Sequence, residues 1–99
     1  MSENRRTATR HAVDLPCTLR DGDEREIRLV NLSVGGAGLA HLRMPMGHRV
    51  HLAFRVPSSE HAIEIGAVVR WSTDAEVGVQ FDGLRPKDVW ALTKYFESL

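Results

Sequence analysis

The sequence predicts an all-β core with one C-terminal helix, folded as a six-stranded antiparallel barrel. Three observations carry this expectation. Apolar residues recur at every second position in six short runs; Gly, Pro, Asp and Ser punctuate the gaps between them; and after Pro86 the apolar period changes to that of a helix. Six short strands joined by tight turns expose an unpaired edge on each side unless the sheet curls round, so a closed or nearly closed barrel is expected. Ninety-nine residues support one such domain with a single modest core and leave no room for a second.

Residues 1–11 are polar, lack apolar periodicity and carry Arg5, Arg6 and Arg10 against a single glutamate, Glu3, which predicts a flexible arm. Residues 12–99 form the barrel and its helix. In 12–20, Val13, Leu15, Cys17 and Leu19 alternate with Asp14, Pro16, Thr18 and Arg20, the signature of a half-buried strand. Pro16 lacks a donor and belongs at an edge or strand start. Asp21-Gly22-Asp23 makes the first hairpin turn. Strand two spans 26–33 and strand three 36–42, followed by a loop punctuated by Pro45 and Gly47. Strand four, 48–56, alternates Val50, Leu52, Phe54 and Val56 with His51, Ala53 and Arg55. A long fifth strand, 61–71, sets Ile63, Ile65, Ala67 and Val69 on one face, and Gly66 is expected to mark a bend or bulge. Strand six, 77–81, turns Val77, Val79 and Phe81 inward. Pro86 suits a first helical turn, and Val89, Leu92, Phe96 and Leu99 then form the apolar stripe of a helix over about 86–98 that must cover an open end or side of the barrel.

Several function classes are excluded by composition. Thirteen basic and thirteen acidic side chains give zero formal net charge, which argues against affinity for polymeric nucleic acid. The local excess of arginine in residues 1–11 suits a small anion better. Cys17 is the single cysteine, so no internal disulfide forms, and a buried apolar role on its strand is expected. No apolar run is long enough to span a membrane, and the polar N-terminus has no signal-peptide core, which points to the cytoplasm. His11, His41, His48, His51 and His61 form no recognised ligand spacing with Cys17, so no metal is expected. Ser33 lacks a nucleophile elbow and an assignable base, and the run Gly35-Gly36-Ala37-Gly38 lacks the Lys-Ser/Thr of a phosphate-binding loop, so no enzymatic activity is expected.

The residues that look chosen for a ligand are Asn31-Leu32-Ser33-Val34-Gly35-Gly36 and the arginines of the arm. Asn31 and Ser33 are two apart, so an extended backbone projects both from one face toward one partner, while Leu32 and Val34 point the other way. Gly35 and Gly36 end the strand in a turn. Guanidinium forks bind phosphate, grip the O6/N7 edge of guanine and stack on flat rings. Arg6-xxx-Arg10, followed after a strand by Asn31-x-Ser33-xx-Gly36, resembles the RxxxR and [D/N]xSxxG signature of the PilZ domain family. The resemblance extends over nearly the whole chain. Residues 5–20 look like the family's arginine-rich approach to its first strand, Val68-Val69-Arg70-Trp71 is similar to its penultimate strand, and Val77-Gly78-Val79-Gln80-Phe81 is similar to its closing VGVxF.

That resemblance implies a split-barrel fold and a receptor for the bacterial second messenger cyclic di-GMP, with no further cofactor. Arg6 and Arg10 become clamps on phosphate and guanine, and Asn31, Ser33 and Gly36 the floor beneath a guanine. Arg5 resembles the extra arginine of members that bind two stacked ligands, and Asn31 stands where many members have aspartate. Trp71 sits where some relatives place an aromatic near the ligand, although packing is the commoner role of tryptophan. The arm is expected to close over the ligand and alter a surface read by an unidentified downstream protein, the receptor itself being a monomer or weak dimer. The alternative is a degenerate adaptor of the same fold that acts only through protein contacts. An RNA-binding barrel is a third reading, disfavoured by the neutral charge and only six aromatics.

Overall fold

The structure, a computed structural model, describes residues 9–40 and 43–99. Most of the arm expected over 1–11 therefore lies outside the described residues, with Arg5 and Arg6 in it, as does the 41–42 end expected for the third strand. The strands are β1 (His11–Arg20), β2 (Glu24–Leu32), β3 (Gly36–Ala40), β4 (Arg49–Phe54), β5 (Ile63–Ser72) and β6 (Glu76–Phe81), followed by α1 (Pro86–Glu97). All the strand pairings are antiparallel, and the order β1-β2-β3-β6-β5-β4 closes on itself. Two three-stranded meanders, β1-β2-β3 and β4-β5-β6, are thus joined along both edges. One seam runs from Cys17↔Phe54 to Arg20↔His51, the other from Gly36↔Gln80 to Ala40↔Glu76. Closure removes the unpaired edges that either meander alone would expose.

Period-two patterning fills the barrel as expected. Leu15, Cys17 and Leu19 of β1, Val50, Leu52 and Phe54 of β4, Ile63, Ile65, Ala67 and Val69 of β5 and Val77, Val79 and Phe81 of β6 are all buried in one core. Phe54 and Phe81 stack inside it with ring centroids 6.3 Å apart. The first turn uses Gly22 at φ +109°, a conformation that side chains with a Cβ rarely adopt.

Two local expectations are corrected. Gly66 pairs with His51 in an unbroken register, so it is no bulge. Its missing Cβ instead leaves room for Asp82, whose carboxylate pairs with Arg49 and whose N–H donates to the Gly66 carbonyl at 2.9 Å. The helix is rolled from its expected stripe. Asp88, Ala91, Leu92 and Tyr95 face inward, while Val89 and Leu99 are 38% and 62% exposed. Ser58 Oγ ties this face down by donating to the Ala91 carbonyl at 3.0 Å, and Asp88 accepts from Arg85 Nε at 3.2 Å in the first turn, where the helix dipole favours an anion. Phe96 is left half-buried, stacked on His11 at the start of β1 with centroids 4.1 Å apart.

Candidate ligand-binding site

Four adjacent strands bring one rung of residues together on the outside of the barrel: Asn31 of β2, Gly38 of β3, Gly78 of β6 and Trp71 of β5, each paired with the next. Strict alternation would have sent both end residues inward. Leu29 and Val69 are core residues, and Asn31 and Trp71 lie two positions beyond them. A register shift between Leu29 and Asn31 against β3, and another between Val69 and Trp71 against β6, insert an extra residue in each strand and swing Asn31 and Trp71 outward. The two central glycines make a trough without side chains. A Cβ on Gly38 would overlap the Asn31 amide, and a Cβ on Gly78 would overlap the Trp71 indole.

Beside this rung is an open groove of about 470 Å³ lined by Arg10, Ser33, Gly35, Gly36, Arg70, Trp71, Val79 and Gln80. Arg10, twenty-one positions before Asn31, donates from Nη1 to Asn31 Oδ1. The same guanidinium carbon lies 5.8 Å from the centre of the Trp71 ring, a cation over a π face. Arg70, the extra residue of the β5 bulge, donates from Nε to Gln80 Oε1 at 2.8 Å. Among the described residues no carboxylate pairs with Arg10 or Arg70, and both guanidinium groups line the groove. Two guanidinium forks beside an indole face are chemistry that can receive an anion with flat, hydrogen-bonding surfaces.

Of the residues singled out from sequence, Arg10, Ser33, Gly36 and Trp71 line this groove, and Asn31 borders it through Arg10. Arg5 and Arg6 lie outside the described residues. Ser33 differs from the expectation in one respect. β2 ends at Leu32, and Ser33 is 3% exposed instead of projecting beside Asn31. Its Oγ accepts from the N–H groups of Gly35 and Gly36, each at 3.1 Å, while its own N–H donates to the Gly36 carbonyl at 2.9 Å. The hydroxyl thus shapes the turn, and the Gly35 carbonyl anchors that turn by accepting from Phe81 N–H at 2.8 Å. Gly36 permits close strand packing, since a Cβ there would strike the Val79 carbonyl oxygen.

Sequence reasoning missed Arg70, Gln80, Gly38, Gly78 and Glu76, whose Oε2 accepts from Asn31 Nδ2 at 3.3 Å. A signal existed for the glycines. Gly36, Gly38 and Gly78 alternate with the inward Ala37, Leu39, Val77 and Val79, so three outward positions of these strands carry no side chain. Among the described residues no group of three or more His, Cys, Asp or Glu could hold a metal ion, and no helix is long and apolar enough to cross a membrane.

Comparison with known proteins bears on this geometry. The family model described as PilZ domain matches residues 4–98. The solved structure of the Bacillus subtilis Inhibitor of motility (MotI/DgrA) is similar to this chain, with a TM-score of 0.79 and 26% identity over 92% of this chain and 49% of that one. The chain therefore spans about half the length of that structure. No curated protein gives a match.

Proposed function

The chain belongs to the PilZ domain family, and from that premise we propose that it is a receptor for cyclic di-GMP whose N-terminal arm closes over the bound nucleotide and alters a surface read by a partner protein. PilZ domains are binding and adaptor domains, not enzymes, and the groove is read here as a site of recognition. The observation that carries the reading is the meeting of Arg10 with Asn31 and Trp71 beside a groove floored by Ser33, Gly35 and Gly36.

Each part of the ligand finds a complement there. Its two singly charged phosphodiesters suit Arg10 and Arg70, and guanine O6 and N7 are acceptors for the same forks. A guanine plane can lie against the Trp71 indole, and its N1 and N2 donors meet Asn31 Oδ1. Arg5 and Arg6 complete the clamp in this reading, with Arg5 stacking on a second ligand molecule. The readable surface is α1. His11 follows Arg10 directly and stacks on Phe96, so movement of the arm is felt by a helix that presents Trp90, 62% exposed, to solvent. A second messenger as ligand puts the protein in the cytoplasm.

Calorimetry with cyclic di-GMP, cyclic di-AMP and GTP tests this. Heat from the first alone is the expected result, with two equivalents per chain if Arg5 acts as stated. A folded protein that ignores cyclic di-GMP at tens of micromolar would overturn the receptor reading in favour of an adaptor working through protein contacts.

A further inference from the structure

Asn31 carries an amide, which can present either a donor or an acceptor to the groove depending on which way round it is held. Its two neighbours remove that freedom. Arg10 has only donors and meets Oδ1, while Glu76, ionised, has only acceptors and meets Nδ2 at 3.3 Å. Reversing the amide would set its NH2 against a guanidinium and its oxygen against a carboxylate, losing both bonds. Glu76 opens β6 directly after a turn in which Thr73 Oγ1 accepts from the N–H groups of Ala75 and Glu76 at 3.2 and 3.1 Å. The carboxylate is therefore delivered to Asn31 from a braced position on the far side of β3.

We infer that Glu76 is a positioning residue that holds the Asn31 amide with its oxygen toward the ligand, so that the site selects guanine, whose N1 and N2 edge donates, over a base that offers an acceptor there. The inference rests on the cyclic di-GMP reading above and extends it to a residue outside the groove lining. When the ligand draws Arg10 onto phosphate or guanine, Glu76 is the partner among the described residues that keeps the amide from turning. The pair Asn31 and Glu76 acts as a relayed acceptor: a single negative charge set back from the dianionic ligand, with a neutral oxygen in front.

Glu76→Ala, with binding measured by calorimetry, tests this against Asn31→Asp in the same background. In Glu76→Ala the amide is free to turn, and cyclic di-GMP affinity should fall about three- to tenfold, the worth of one oriented hydrogen bond. Discrimination against cyclic di-AMP should narrow at the same time. Adding Asn31→Asp should restore both, because a carboxylate accepts whichever way it turns. A merely structural role for Glu76 would not be rescued in this way. If Glu76→Ala does not fold, Glu76→Gln, which can hold the amide either way round, replaces it with the same expected direction. Wild type that binds cyclic di-GMP while Glu76→Ala matches it in affinity and selectivity, or while the double variant is no better than Glu76→Ala, overturns this inference alone. Wild type that does not bind cyclic di-GMP overturns the receptor reading and this inference with it.

Discussion

Gly78→Ala places a methyl group where the Trp71 indole now lies, and its effect can be worked from opposing contributions. The Gly78 backbone is not in the left-handed region, so alanine is conformationally admissible there. Replacing a strand glycine should by itself stabilise the fold by about 0.5–1 kcal/mol through backbone entropy. Against this, the new Cβ would overlap three atoms of the indole, and displacing a packed ring costs about 1–3 kcal/mol. The net expectation is a loss of roughly 0.5–2 kcal/mol, or a fall in Tm of several degrees for a domain this small. In a Trp71→Ala background only the entropic gain remains, so the sign reverses and Gly78→Ala becomes stabilising. Urea unfolding of the four proteins, followed by far-ultraviolet circular dichroism, measures the cycle. Trp71 emission, read in a Trp90→Phe background, should shift to the red as the ring moves into water. A Gly78→Ala effect that is the same with and without Trp71 would refute the trough.

Arg10→Ala should weaken cyclic di-GMP binding by about 1.5–3 kcal/mol, one charge-assisted contact, while leaving the barrel folded; equal affinities by titration would remove Arg10 from the site. Ser33→Ala strips the acceptor from the Gly35 and Gly36 N–H groups in a buried turn and should cost about 1–3 kcal/mol of stability, seen as a lowered urea midpoint. Burial pushes the Cys17 thiol up from 9.0 to about 12, opposed in part by a backbone hydrogen bond from Ala53. The folded state thus holds the proton more tightly than the unfolded one. This contribution, at most about 4 kcal/mol, is fully present below pH 9 and is lost as pH rises toward 12. At pH 8 the thiol should resist an aromatic disulfide reagent until urea unfolds the chain, and prompt labelling of the native protein would show that Cys17 is not sealed.

The limits of the sequence reading are visible in particular residues. Where a strand has one buried face and no interruption, as from Val50 to Phe54 or Ile63 to Val69, alternation names the inward side chains correctly. Counted from Leu29 and from Val69 the same rule points Asn31 and Trp71 into the core, and each is outside because of a one-residue bulge; counted from Leu32, as the motif is read, it leaves Asn31 outside. Strand two held a trace of this, since Leu29 and Leu32 are both inward yet three apart. Strand five held none that could be separated from strict alternation. The helix stripe failed for a related reason. An apolar count ranked Val89 and Leu99 above Asp88, whereas the buried face is the one that carries Ala91, Leu92 and Tyr95 with Asp88, and Ser58 bonds to its Ala91 carbonyl.

By itself, then, the order of residues determined that this chain makes six strands and a helix, which side chains fill most of the barrel, and that Arg10, Asn31, Ser33 and Gly36 belong to a family's signature. Those properties follow from local periodicity and from short motifs, which the chain carries wherever it folds. Only tertiary pairing decided that β3 lies against β6, that Gly38 and Gly78 open a trough between Asn31 and Trp71, and that Glu76 and Arg70 stand beside it. The reason is that a rung across a barrel joins residues from separate meanders, and its alignment is set by closure and by bulges that leave almost no mark on composition.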